Sequence, residues 1–150
     1  MAYSGKFRPK NIEKYKGNAD KITYRSSWEA WVMKFCDQSP SVLAWNSEEV
    51  IIPYFSNADG KRRRYFMDFW VKMSNGQVFL FEVKPEKECR PPQMKSTNTA
   101  KAKKQFMAEM YTWQVNTDKW KAANALCMEK GWNFKIITEN SLRTHFGWRG

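Results

Sequence analysis

The sequence predicts an α/β fold in a single domain. A helical stripe opens the folded part, strand-like runs fill the middle, and helical and strand patterns alternate from there to the end. At 150 residues the chain is long enough to bury one core of ordinary size. Aromatic side chains make up 16% of it, with 8 Trp and 10 Phe, so it can order without disulfides or a structural metal.

Residues 1–22 carry Lys6, Arg8, Lys10, Lys14, Lys16 and Lys21 among few apolar side chains, which predicts an extended basic arm, ordered only against the domain or DNA, ahead of a domain at 23–150. Ser26 to Asp37 is helical, because Trp28, Val32 and Phe35 recur at i, i+4 and i+7 and Trp31 widens the stripe. Ser39-Pro40 stops that helix. Val42 to Trp45 and Val50 to Tyr54 are β-rich, with Pro53 marking an edge or a strand end. Asn57 to Gly60 is a turn. Tyr65 to Met73 and Gln77 to Lys84 are strong strands joined by Ser74-Asn75-Gly76. Glu86 to Thr99, rich in Pro, Lys, Ser and Thr, is a long loop. Thr99 can cap a helix from Ala100 to about Trp113, and Asn116 or Thr117 a second one to Lys130, which Gly131 ends. Phe134 to Thr138 is a last strand and Asn140 to Phe146 a short helix.

Charge narrows the function. There are 26 Lys and Arg against 15 Asp and Glu, a formal charge of +11 that asks for a polyanionic partner, nucleic acid before an anionic membrane. No apolar run nears the roughly 18 residues of a membrane span. Met1 to Lys21 has no apolar stretch, so neither secretion nor insertion is expected. Cys36, Cys89 and Cys127 are odd in number and form no CxxC pair, which predicts reduced thiols and no zinc ribbon. His145 is the one histidine and is expected at a helix end without catalytic duty; chemistry needing two or more histidines is excluded. Any catalysis falls to carboxylates and lysines.

The hairpin holds the best candidates. Alternate strand side chains share a face, so Glu82 and Lys84 point together and Val83 points away. A two-residue Asn75-Gly76 turn would set Asp68 opposite Val83. A three-residue Ser74-Asn75-Gly76 loop with a left-handed Gly76 sets it opposite Glu82, with Cβ atoms about 5 Å apart. The second register is the one expected here. Carboxylates that close repel unless a cation lies between them, and oxygen ligands suit Mg²⁺ or Mn²⁺.

Asp68 followed by Glu82-Val83-Lys84 resembles the D…(D/E)xK signature of the PD-(D/E)xK, restriction-endonuclease-like nucleases. The resemblance implies a restriction-endonuclease-like core: a central mixed β-sheet flanked by helices in α-β-β-β-α-β order. It implies Mg²⁺, with Mn²⁺ able to substitute, on Asp68, Glu82 and the Val83 carbonyl. Lys84 would orient the attacking water or stabilise charge on the phosphoryl oxygens, and the products would be 5′-phosphate and 3′-hydroxyl ends. Glu29 fits the place of a glutamate that many members carry on the first helix. The Pro usual before the motif Asp is Met67 here, a departure that touches no ligand.

A longer series extends the likeness. Tyr3-Ser4-Gly5-Lys6-Phe7, the Ser-x-x-Glu of the first helix, Ser47-Glu48-Glu49-Val50, Arg64 to Phe69, Glu82 to Pro85, Asp118 to Ala123 and Thr138-Glu139-Asn140 stand in order. The series resembles the N-terminal domain of transposon-end nucleases and, over nearly the whole chain, the head completion nucleases of T-even-like tailed phages. This implies a DNA nuclease, endonucleolytic and with exonuclease action open, serving head completion and head–tail joining. Phage head or neck proteins would be partners, and the place of action the host cytoplasm or the virion.

Each candidate also has a structural reading. Asp68, Glu82 and Lys84 could form a strand ion pair, and Glu29 could close a capping box with Ser26. Glu48 and Glu49 fit a solvated strand face. Lys61, Arg62, Arg63 and Arg64 precede the Asp68 strand and suit phosphate contact, as do Lys101, Lys103 and Lys104 in the basic stretch from Arg90 to Lys104, and Lys119. Such contacts carry little sequence specificity. Two other functions remain open at this point: a non-catalytic DNA-binding assembly or neck protein, and a branched-DNA resolvase of the same fold, which would be a homodimer.

Overall fold

The computed structural model describes residues 2–96 and 99–149. Its elements are β1 (Ala2–Lys6), β2 (Thr23–Ser26), α1 (Ser27–Gln38), β3 (Val42–Ser47), β4 (Ile51–Ser56), β5 (Lys61–Phe66), β6 (Phe69–Met73), β7 (Val78–Val83), α2 (Ala100–Lys130), β8 (Asn133–Ile137) and α3 (Glu139–His145). The main sheet has four strands in the order β3-β6-β7-β8. β3, β6 and β7 pair antiparallel, and β8 joins β7 in parallel, so the sheet is mixed. Helices lie on both faces. Val32 and Met33 of α1 and Leu142 of α3 pack with Trp45, Phe69 and Val71 on one side. Ala123 and Cys127 of α2 pack with Leu80, Ile52, Tyr54 and Tyr65 on the other.

Several expectations need correcting. The segment at 1–22, expected as an extended basic arm ordered only against the domain or DNA, folds against the domain over its described residues. β1 pairs with β2, Ile22 is buried, and the Tyr15 ring meets the Trp45 ring edge-on at 4.7 Å. Asp37, buried at the end of α1, accepts hydrogen bonds from the Lys10 and Asn11 amides at 2.9 Å each. Apolar anchors at Phe7, Tyr15 and Ile22 outweigh the basic composition. Removing the Asp37 carboxylate with Asp37→Ala should cost about 2–3 kcal/mol, since it leaves two amides without their charged acceptor. Amide exchange at residues 8–16 should accelerate well beyond any change in the sheet; uniform acceleration would show instead that the segment and the domain open together.

The two helices expected between Ala100 and Lys130 are one, of 31 residues and so about 46 Å long. No Gly or Pro interrupts it, and the Thr117 hydroxyl, expected to cap a new helix, donates to the Gln114 carbonyl of the same one. Conversely, the strand expected from Tyr65 to Met73 is broken at Met67-Asp68. The Met67 amide donates to the Val50 carbonyl, and the Glu48 amide donates to the Met67 carbonyl, both at 3.0 Å. The chain there leaves the separate β4–β5 ribbon and enters the main sheet. Asp68 sits at that joint. Among the described residues no helix is long and apolar enough to cross a membrane.

Candidate active site

The turn decides the register. Gly76 adopts φ 90° and its amide donates to the Met73 carbonyl at 3.0 Å, closing a three-residue loop. β6 and β7 then pair Phe69 with Phe81 and Trp70 with Leu80, which brings Asp68 level with Glu82 as expected. Asp68 Oδ2 accepts the Val83 amide at 2.8 Å, so its carboxylate is clamped to the strand that carries Glu82. Val83 points into the α1 side of the core, away from Glu82 and Lys84. Lys84 Nζ lies 3.7 Å from Glu82 Oε2, and the Lys84 amide donates to the Ile137 carbonyl at 2.9 Å.

The electrostatics follow from burial. Asp68 is pushed well above the usual carboxylate range, first by its removal from water and then by the charge of Glu82; the Val83 amide and Lys84 pull the other way. Glu82 is 7% exposed, and the Tyr65 hydroxyl donates to its Oε1. The Tyr65 phenol is raised, by burial first and by Glu82 second. Glu29 is also raised, chiefly by burial, with Glu48 and Glu82 adding to the effect and Arg25 opposing it. Ser26 Oγ accepts the Glu29 amide at 3.1 Å, so half of the capping box is present. The Glu29 carboxylate reaches the Arg25 amide (3.1 Å), one residue earlier than a full box requires.

Of the remaining candidates, Glu48 stands at the joint, its backbone left-handed at φ 57° and its carboxylate 2.6 Å from the Arg25 guanidinium. Glu49 turns away and accepts the Asn18 amide at 3.0 Å, a structural duty. Lys119 lies over the ring of Tyr65, with Nζ 5.3 Å from the ring centre. Lys101, Lys103 and Lys104 lie exposed in the first turns of α2, and the rise of the helix separates Lys104 from Lys119 by about 22 Å. The basic run at 61–64 is strand β5 and divides between two faces: Arg63 pairs with Asp59, while Arg62 and Arg64 point the opposite way. Thr97 and Asn98 of the basic loop lie outside the described residues. His145 is exposed at the end of α3.

Sequence reasoning missed Tyr65 and Arg25. Tyr65 was hidden because an unbroken strand would have put it in the main sheet, whereas the joint at Met67-Asp68 turns it over Glu82. Tyr65→Phe removes only the hydroxyl that holds Glu82, a loss that in comparable shells costs about 10–100-fold in metal affinity or activity. The deficit should shrink as divalent metal is raised; a deficit independent of metal would place the hydroxyl's role elsewhere.

Among the described residues no group of three or more His, Cys, Asp and Glu gathers closely enough to hold a metal ion. The oxygen donors that come together are the carboxylates of Asp68 and Glu82, with the Val83 main chain between them and Lys84. A half-buried carboxylate raised first by loss of water and then by a neighbouring carboxylate is a place where a divalent cation relieves repulsion, and an oxygen-only set matches a hard ion.

The family "TnsA-like endonuclease N terminal" matches residues 39–139, a stretch running from the end of α1 through the hairpin, α2 and β8 to the start of α3. The head completion nuclease of Enterobacteria phage T4 is 55% identical over 150 residues, covering 100% of this chain and 99% of that protein. No solved structure matches the chain significantly. With its mixed sheet, its hairpin carboxylates and the lysine beside them, the chain belongs to the TnsA-like endonuclease family and is a nuclease.

Proposed function

We propose that this nuclease cuts DNA endonucleolytically with Mg²⁺, for which Mn²⁺ can substitute, at a site made of Asp68, Glu82, Val83 and Lys84. The observation that carries the reading is a pair of carboxylates on one hairpin, Glu82 buried and Asp68 half-buried, with Asp68 raised first by removal from water and then by the charge of Glu82, and with an ammonium 3.7 Å from Glu82. Asp68, Glu82 and the Val83 carbonyl would hold the ion. When bound, it supplies Lewis-acid charge at the scissile phosphate and lowers the pKa of coordinated water. Lys84, fixed through its amide to β8, orients the water and offsets charge that develops on the phosphoryl oxygens. Glu29, raised by burial, is placed to hold a proton at the margin of the site. The Val83 amide keeps the Asp68 carboxylate from turning out to solvent.

Lys119 and the β5 arginines hold the backbone near the site, and Lys101, Lys103 and Lys104 hold it farther along. A charge of +11 gives such binding strong salt dependence and little choice of sequence. Its relative from phage T4 is named for head completion, and this nuclease acts in that process. We place its action in the host cytoplasm or the virion, on packaged DNA, with head or neck proteins beside it.

The test is plasmid nicking with Mg²⁺, with EDTA, and with Asp68→Ala and Lys84→Ala. Nicking by the wild type should vanish in EDTA and fall by about 10²–10³-fold or more in each variant. A folded, DNA-binding wild type that never nicks, or variants that nick normally, would overturn the reading.

A further inference from the structure

The β4–β5 ribbon has a face that the fold leaves uncovered. β4 alternates regularly: Ile52, Tyr54 and Ser56 are buried toward α2, while Ile51, Pro53 and Phe55 are exposed. Cross-strand pairing sets Ile51 opposite Phe66, Pro53 opposite Arg64, and Phe55 opposite Arg62. The outward face is thus a checker of apolar and guanidinium groups, with Phe55 at 49% exposure, Ile51 at 45% and Phe66 at 40%. The Arg64 guanidinium lies 5.3 Å from the centre of the Phe66 ring. Among the described residues, Asp59 is taken by Arg63 on the opposite face, and Asp118 of α2 is taken by Asn57 in the ribbon's turn. Phe66 also stands two residues before Asp68, so the face ends at the active-site joint.

We infer that the outer face of the β4–β5 ribbon binds unstacked bases of single-stranded DNA, with Phe55 and Phe66 stacking on bases and Arg62 and Arg64 on the flanking phosphates. The inference rests on the nuclease reading and specifies its substrate: DNA that is unpaired or frayed beside the cut. The charge excludes a cationic or neutral apolar partner as the best fit, because two exposed guanidinium groups with no carboxylate on their face complement a polyanion. The rings exclude an intact duplex as the best fit. Duplex bases are already stacked, so exposed rings gain contact only where a base face is free, whereas every unpaired base offers one. The arginines alone would suit any DNA backbone; rings and arginines in alternation suit a single strand.

The experiment is fluorescence anisotropy of the full chain in EDTA with a labelled 20-nucleotide single strand and with the same strand in duplex, beside plasmid nicking in Mg²⁺. The wild type should favour the single strand. Phe55→Ala/Phe66→Ala should weaken single-strand binding about tenfold or more, and duplex binding several-fold less. Phe55→Leu/Phe66→Leu, which keeps the apolar bulk, should show the same selective loss, and unchanged circular dichroism in both variants would rule out misfolding. Arg62→Gln/Arg64→Gln should weaken both substrates and flatten the salt dependence by a slope of roughly 1.5. Equal losses on both substrates, or none, would overturn the inference, the latter pointing to a protein on this face. Nicking without single-strand preference would strike this inference alone; preference that the ring variants abolish, without nicking, would uphold it and strike the nuclease reading.

Discussion

Asp68→Asn is expected to lose cleavage by about 10²–10³-fold or more while making the metal-free protein more stable at neutral pH. The two effects share a cause. Burial and the charge of Glu82 hold the Asp68 carboxyl well above its usual range, so the folded state keeps its proton where the unfolded chain has lost it. Stability therefore falls as pH rises through the window between the unfolded carboxylate range and the raised folded value. Above that window the ionised group opposes folding. Asparagine removes the charge and keeps an oxygen that can accept the Val83 amide. Melting in EDTA should rise by roughly 3 °C or more at pH 8, given about 2–4 °C per kcal/mol for a chain of this size. The gain should be smaller at pH 5. A variant less stable than the wild type at both values would show that the Asp68 charge is compensated within the fold.

Trp45→Ala should produce the largest loss of stability, about 3–5 kcal/mol, a substantial part of what a domain of this size has in reserve. Trp45 is wholly buried, and its ring meets those of Tyr15, Phe7 and Phe69 at 4.7, 5.8 and 6.5 Å. It thus joins the N-terminal segment, β3 and β6 in one contact set. Urea unfolding should show the midpoint drop and the N-terminal segment lose its exchange protection with it. Trp45→Phe should lose much less, because the indole Nε1 is buried without a hydrogen-bond partner and nothing polar is orphaned. A Phe variant as damaged as the Ala one would show that ring size, not ring presence, sets the packing.

The elements that were legible in the sequence are those fixed by local pattern. The α1 stripe, the Thr99 cap, Gly131 at φ 74° and the Gly76 loop all follow from side chains within a few residues of one another. The loop sequence left two registers for Asp68, and the expected one, level with Glu82, is the one that the left-handed Gly76 and the strand pairing show. What failed depended on distant partners. The N-terminal segment read only as an extended basic arm, its strand and anchors unseen, because Asp37, which accepts its amides, lies more than twenty residues on. The Tyr65–Met73 run showed no Gly or Pro at its break; the partners that bend it, Val50 and Glu48, are tertiary. Arg25 was visible only as charge, and its pairing with Glu48 depends on a left-handed backbone that no glycine announced.

The parallel pairing of β7 with β8 sets an order of assembly. The β6–β7 hairpin closes over a three-residue loop and can form within microseconds, carrying both carboxylates with it. The main-chain anchor of Lys84 is the carbonyl of Ile137, beyond the whole of α2, and its closure waits on a long and entropically expensive loop. On the ribosome, a chain emerging from its N-terminus holds the acidic half of the site long before the lysine is fixed. The main-chain anchor of Lys84 is therefore completed only once β8, the last strand, has been synthesised.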